Sequence, residues 1–336
     1  MRARARYIPL ALIAALLAHP IPQSHAEAAG APRCNGFNLL DKLAATDPGL
    51  HDRIVTNAEK IENGNAVLWK IESAGRAPSY LFGTVHLSDA RVAMSKAVRR
   101  ALATARAVVI ENSDLSPEAS ANAYRAAAKS ALFDNGQTLD KLLSKAEFDK
   151  LRRSLNGTPE ALRPYRPWIV SLMLTGSECE RRRVSNGDLV LDMAVAHHAK
   201  SNGIPLTGLE TTQEQLEALA SIPDNEQAGM LRANLSLVDE SENLMETMVQ
   251  VYLARRVGAL WDLQIALAEK AGVSAQDFAS FEQTIIVERN RRMRDRSLPH
   301  LEKGGAFVAV GALHLPGRTG LVSLLREAGY TVTAIE

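Results

Sequence analysis

Two histidines of this chain arrive in the same local setting. Tyr80-Leu81-Phe82-Gly83-Thr84-Val85-His86-Leu87 and Ala306-Phe307-Val308-Ala309-Val310-Gly311-Ala312-Leu313-His314-Leu315 each run an apolar, β-branched stretch into Gly-x-x-His-Leu. Two more apolar stretches end in an acid, Ala107-Val108-Val109-Ile110-Glu111 and Ile204-Pro205-Leu206-Thr207-Gly208-Leu209-Glu210. Imidazole and carboxylate together suit a divalent zinc, manganese or cobalt ion. A metal held by His86, His314 and one or both of Glu111 and Glu210 would polarise a carbonyl and acidify a bound water. A glutamate left out of the ligand set is a candidate general base. Gly83 and Gly311 can take positive φ or admit a close backbone approach, either of which swings the imidazole toward a neighbouring strand end. Each Gly-x-x-His alone is a weak signal, since a lone strand-end histidine is more often a hydrogen-bonded structural residue. The doubled setting beside two strand-exit acids is what argues for one shared site.

Other titratable clusters compete with this one. In Glu288-Arg289-Asn290-Arg291-Arg292-Met293-Arg294-Asp295-Arg296 most arginines read as a solvated helix face with local ion pairs. An inward-turned Arg289 would hold a substrate carboxylate or stabilise an oxyanion, which its planar fork suits. Asp188 and Asp192, at i,i+4, share a helix face near His197 and His198, whose side chains point about 100° apart. A capping Asp188, a partly buried Asp192 and surface histidines account for that group. The chain has no His-Glu-x-x-His helix, Gly-x-Ser-x-Gly elbow, Walker loop or dinucleotide fingerprint.

The elements that must place these residues follow from periodicity. Residues 66–71 and 80–85 form a hairpin around Ser73-Ala74-Gly75-Arg76-Ala77-Pro78. Ser88-Asp89 caps a helix through Ala105, and strands follow at 107–111 and 204–210. Helical periods fill about 116–200 and 211–302, including a helix from Asp188 to Lys200. Phe307–Val310, a helix from Arg318 to Ala328 and Thr331–Ile335 make a β-α-β unit with parallel strands. The fold class is α/β: a central mixed sheet flanked by helices, with a large all-helical insertion between the two Gly-x-x-His halves. Residues 66–336 form a single domain after a 27–65 lead-in.

Residues 1–26 read as a signal peptide: arginines at 2, 4 and 6, an apolar run, then Ser24-His25-Ala26. Export to the periplasm or outside the cell follows, with no membrane span in the mature chain. Cleavage removes three arginines and no acid, taking the formal charge from +1 to −2, which gives no support to nucleic-acid binding. Cys34 and Cys179, the two cysteines present, pair as a disulfide in an oxidising compartment or remain two buried thiols.

Leu81-Phe82-Gly83-Thr84-Val85-His86-Leu87, Val109-Ile110-Glu111, Gly208-Leu209-Glu210-Thr211, Glu288-Arg289-Asn290 and Val310-Gly311-Ala312-Leu313-His314-Leu315-Pro316-Gly317 resemble, in order, the blocks of the TraB/GumN family, which includes the Tiki proteases. The resemblance runs from about Leu68 to Ile335. It implies an α/β core related to erythromycin-esterase and ChaN-like proteins and, for Tiki members, peptide hydrolysis supported by manganese or cobalt. His86 and His314 match the motif histidines, Glu111 and Glu210 the acids, and Arg289 with Asn290 the polar pair before the last motif strand. The expected function is an exported divalent-metal-dependent hydrolase, a peptidase, acting on a peptide or small molecule. The rivals are a non-catalytic periplasmic ligand- or peptide-binding module and a cell-surface regulator that binds a peptide signal.

Overall fold

A computed structural model describes residues 34–112 and 117–336; the signal peptide expected at 1–26 lies outside the described residues. They form a six-stranded sheet of β1 (Leu68–Glu72), β2 (Ser79–Thr84), β3 (Ala107–Asn112), β4 (Leu206–Glu210), β5 (Ala306–Gly311) and β6 (Thr331–Ala334). The spatial order is β4-β3-β5-β2-β1-β6. β4, β3, β5 and β2 run parallel, while β1 is antiparallel to both β2 and β6. The sheet is therefore mixed, as expected. β5 and β6 share a direction but are not neighbours, because the crossover between them passes over β2 and β1.

The apolar runs are continuous because both faces of the sheet are covered. Val108, Ile110, Phe307 and Ala309 face one core; Val109, Val308 and Val310, one residue out of phase, face the other. The helices that matter to the site are α1 (Lys96–Ala103), α2 (Glu178–Ser185), α3 (Leu191–Ser201), α4 (Thr212–Ser221), α5 (Ser241–Leu253), α6 (Arg289–Leu301) and α7 (Leu321–Glu327). Val98 and Leu102 of α1, Val195 and Ala199 of α3, and Val249 and Tyr252 of α5 cover the first face. Met293 and Leu301 of α6 and Leu321, Val322 and Leu325 of α7 cover the second. The two helical stretches expected as separate insertions pack together: Phe148 and Trp168 of the first share a core with Leu216 and Leu231 of the second.

Some helix boundaries differ from those the sequence predicts. Asp89 caps only a short 3-10 turn, Ala90–Val92, and the hydroxyl of Ser95 accepts Val98 N–H to start α1. Helix α3 begins at Leu191 with no side-chain cap, so Asp188 is an exposed loop residue rather than a cap. Helix α7 starts at Leu321, since Gly317 at φ 84° turns the chain first. Cys34 and Cys179 form a disulfide with Cα atoms 5.8 Å apart, joining positions separated by 145 residues. No helix among the described residues is long and apolar enough to cross a membrane.

Candidate active site at the carboxyl edge of the sheet

Four parallel strands end at one edge, with Thr84 in register with Gly311 and Asn112 with Glu210. His86, Glu111, Glu210 and His314 follow or end those strands, where open α/β sheets place their ligands. Gly83 is needed for close approach rather than for positive φ: a Cβ there would lie 2.6 Å from Leu315 Cδ1 and 3.0 Å from Ala312 Cα. The two Gly-x-x-His loops therefore pack directly on each other. Gly311 also lacks positive φ. Its N–H donates to Glu111 Oε2 at 3.0 Å.

The two acids share Arg289. Its Nε and Nη2 donate to Glu210 Oε2 at 2.9 and 2.7 Å, and Nη2 also reaches Glu111 Oε1. Arg292 Nη1 takes the other oxygen of Glu210 at 3.1 Å, and Gln215 Nε2 of α4 donates to Glu111 Oε1 at 3.0 Å. Helix α6 turns Arg289 inward because Arg289, Met293, Ser297 and Leu301, four residues apart, make its buried face. A stretch of i→i+5 helix, Glu282–Glu288, leads into Arg289. Such turns are rare and recur at functional sites.

This arrangement bears on two expected roles. Glu210, offered as ligand or base, has a side chain with 0% exposure and both oxygens in ion pairs, so it is the counter-ion of Arg289 and Arg292. Arg289 does turn inward, but its fork is occupied by Glu111 and Glu210 rather than open to a substrate carboxylate or an oxyanion. A fully buried carboxylate is tolerated only with such compensation.

Both histidines are held through Nδ1. Asn290 Nδ2 donates to Thr319 O at 2.8 Å, which fixes the amide so that its oxygen faces His314 Nδ1 at 2.7 Å. An amide oxygen accepts only, so Nδ1 carries the proton and Nε2 is left with its lone pair. His86 Nδ1 lies 2.9 Å from Asp192 Oδ2 of α3. Oδ2 has no other partner among the described residues, so its contact with His86 is described as an ion pair. Charge attraction depends on distance more than direction, so the ion-pair description holds.

The environments drive the groups apart. Burial pushes His314 down to about 4, against the Glu111 charge and with Arg289 and His86 adding to it. The Asp192 carboxylate raises His86 to about 9 despite partial desolvation. Burial alone would raise Glu111, but His314, Arg289, His86 and the Gly311 N–H hold it at about 2. His314 is 5% exposed, whereas the His86 side chain is 70% exposed and lines the solvent side.

The donor types at His86, His314 and Glu111, two imidazoles engaged at Nδ1 and one ionised carboxylate, are those that suit a divalent metal, with His86 giving up its second proton on binding. Glu210 does not fit that set. At this edge no three His, Asp or Glu ligand atoms among the described residues lie within 4.8 Å of one another. The one such grouping among the described residues, Cys34, Cys179 and Glu242, has its sulfurs in the disulfide.

Sequence reasoning missed Asp192, Thr84, Gln215, Arg292 and Thr319 as parts of this edge. Asp192 had a readable signal: it borders the apolar stripe of Leu191, Val195 and Ala199 rather than opposing it. His197 is exposed, and among the described residues no metal-ligand grouping forms around it.

A mixed α/β sheet with paired Gly-x-x-His loops at one carboxyl edge defines the class. The chain belongs to the TraB/PrgY/gumN family, whose sequence pattern matches residues 67–334. It is 24% identical over 324 residues to metalloprotease TIKI2 of Danio rerio, covering 80% of this chain and 60% of that protein. The Xenopus tropicalis metalloprotease TIKI2 is 22% identical over 325 residues, 81% of this chain and 60% of that one. The chain thus spans about three-fifths of the length of these two relatives. The uncharacterized protein YbaP of Shigella flexneri is 23% identical over 276 residues, 78% of this chain and 94% of YbaP. No solved structure matches the chain.

Proposed function

We propose that this chain is an exported divalent-metal-dependent hydrolase that cleaves peptide bonds, with His86, His314 and Glu111 facing the metal. The observation that carries the reading is that each motif imidazole is engaged at Nδ1, by Asp192 in one case and Asn290 in the other, with no described group paired to Nε2. That is how proteins present histidine to a metal. Bound manganese, cobalt or zinc would supply Lewis acidity and a water acidic enough to attack a carbonyl. Glu111 presents an ionised oxygen beside the Gly311 N–H. Arg289 aligns that carboxylate while Glu210 and Arg292 fix Arg289 from behind. His314 stays neutral through the physiological range. The metalloprotease names of the TIKI2 relatives support hydrolysis of peptides, and the leader at 1–26 supports export.

The test is metal content of the purified mature protein after dialysis against manganese, cobalt or zinc, with His86→Ala and His314→Ala alongside. Retention of about one ion per chain, lost in both variants together with peptide turnover, is the expected result. Wild type that holds no ion, with neither variant changing turnover, overturns the reading. A second reading, a non-catalytic peptide-binding module, is favoured by the ion pairs that already occupy Glu111 and Glu210. It expects saturable peptide binding that EDTA leaves unchanged.

A further inference from the structure

The two motif histidines are tethered by different chemistry, and the tether of His86 comes from the helical layer rather than from the sheet. Asp192 lies in the first turn of α3, whose start is pinned to the His86 loop by a bond from Leu191 N to Leu87 O at 3.2 Å. Its Oδ1 receives the hydroxyl of Thr84, the last residue of β2, and its Oδ2 faces His86 Nδ1 at 2.9 Å. Thr84 Oγ1 is also 3.2 Å from Val310 O, so its single proton has two acceptors, and the charged one is the stronger. On the other side of the loop Tyr252 of α5 donates to Gly83 O at 2.7 Å. The His86 strand exit is thus gripped by α3 and α5 together.

On the His314 side the order of parts is the same. A backbone carbonyl, Thr319 O, fixes Asn290, and Asn290 fixes Nδ1. On the His86 side a hydroxyl, Thr84, fixes Asp192, and Asp192 faces Nδ1. In each case an anchored side chain stands against Nδ1 of the ring. A carboxylate locked at one oxygen has a single oxygen left to offer, which restricts the ring far more than a freely rotating acid would.

We propose that Asp192, locked by Thr84, is the positioning residue of His86, keeping Nδ1 inward and Nε2 available to a divalent metal. This rests on the metal-facing reading of His86 and His314, but its test separates the two. Cobalt affinity is measured by chelator competition, with the visible cobalt bands recorded, for wild type, His86→Ala, Asp192→Ala and Thr84→Val. Asp192→Ala, which leaves no polar group to face Nδ1, is expected to weaken cobalt about 10- to 100-fold and to alter the bands. Thr84→Val, which keeps the acid but frees it, is expected to show a smaller loss in the same direction. Binding by Asp192→Ala within twofold of wild type, where His86→Ala has lost it, overturns the proposal and leaves the metal reading standing.

A second measurement needs no metal. 13C relaxation of the His86 ring in metal-free protein is expected to report an ordered ring in wild type and an averaged one in Asp192→Ala. If wild type fails to bind cobalt but shows this contrast, the positioning role stands and the metal reading falls. Equal ring mobility in the two proteins overturns the positioning role, whatever the cobalt result.

Discussion

Replacing Arg289 by methionine removes the cation between two carboxylates that water scarcely reaches. Glu210 has 0% side-chain exposure and Glu111 13%, and Arg289 itself 8%. Methionine fills a similar volume without charge, so the loss measures uncompensated anions rather than a cavity. Glu210 would keep Arg292 at 3.1 Å, but Glu111 would keep only Gln215 and the Gly311 N–H. Breaking a buried pair from one side costs about 3–5 kcal/mol, and the retained Arg292 contact puts Arg289→Met toward the lower figure. Urea unfolding at pH 7 in EDTA reads this directly. Arg292→Ala serves as the control: its side chain is 35% exposed and Glu210 keeps Arg289, so its loss should be the smaller of the two. Adding Glu111→Gln and Glu210→Gln to Arg289→Met should recover most of the loss, because the triple variant buries no charge. A loss below about 1 kcal/mol for Arg289→Met, or no recovery in the triple variant, would refute the buried-counter-ion account.

Two further outcomes follow from particular contacts. Gly83→Ala places a methyl group 2.6 Å from Leu315 Cδ1 and 3.0 Å from Ala312 Cα, so it should cost about 1–3 kcal/mol of stability. It should also disturb both histidine loops at once, visible as paired changes in the His86 and His314 ring signals; unchanged signals would deny the contact. Asp89 is held at about 2 by the Arg91 side chain, with burial opposing and Arg183 adding its charge. Its folded value lies below the unfolded one of about 3.9, so its contribution is complete above that value and is lost as pH falls through about 2. Asp89→Asn should therefore cost about 2 kcal/mol at pH 7, and the gap to wild type should narrow between about pH 4 and 2. A gap that stays constant with pH would count against the Arg91 contact as its cause.

The strand exits were legible because a buried parallel strand leaves an uninterrupted apolar run, and Val108, Val109 and Ile110 or Phe307 to Val310 are such runs. Which strand neighbours which was not, since β6 crosses two strands to pair with β1 and nothing local in Thr331–Ala334 encodes that partner. At the site, the sequence identifies the residues that strands deliver and loses those that helices deliver. A strand end fixes a side chain's place to within one residue of alternation. A helix adds a rotation about its axis that only packing decides. Arg289 was distinguishable among its neighbouring arginines because Met293 and Leu301 continue its face. The inward lean of Asp192 is readable from Leu191, Val195 and Ala199, but its partner is not, because His86 lies more than a hundred residues earlier. Residue type alone does not separate the two acids, because it does not reveal that arginines take both oxygens of Glu210.

The choice of tether at each histidine follows from burial. His314 lies against Glu111, near the charges of Arg289 and His86, in surroundings that already bury two carboxylates. An aspartate at position 290 would add a third anion where desolvation is strong and where Arg289 and Arg292 are already committed, so a neutral amide is the tether that the local charge balance permits. The His86 ring is 70% exposed and Asp192 24%, so a charge there is less completely desolvated than one at position 290 would be. A carboxylate is tolerated at that ring, and it holds the imidazole more strongly than an amide would. The exposed histidine, with the greater freedom to turn, has the charged tether, and the buried one, already confined by packing, has the neutral tether.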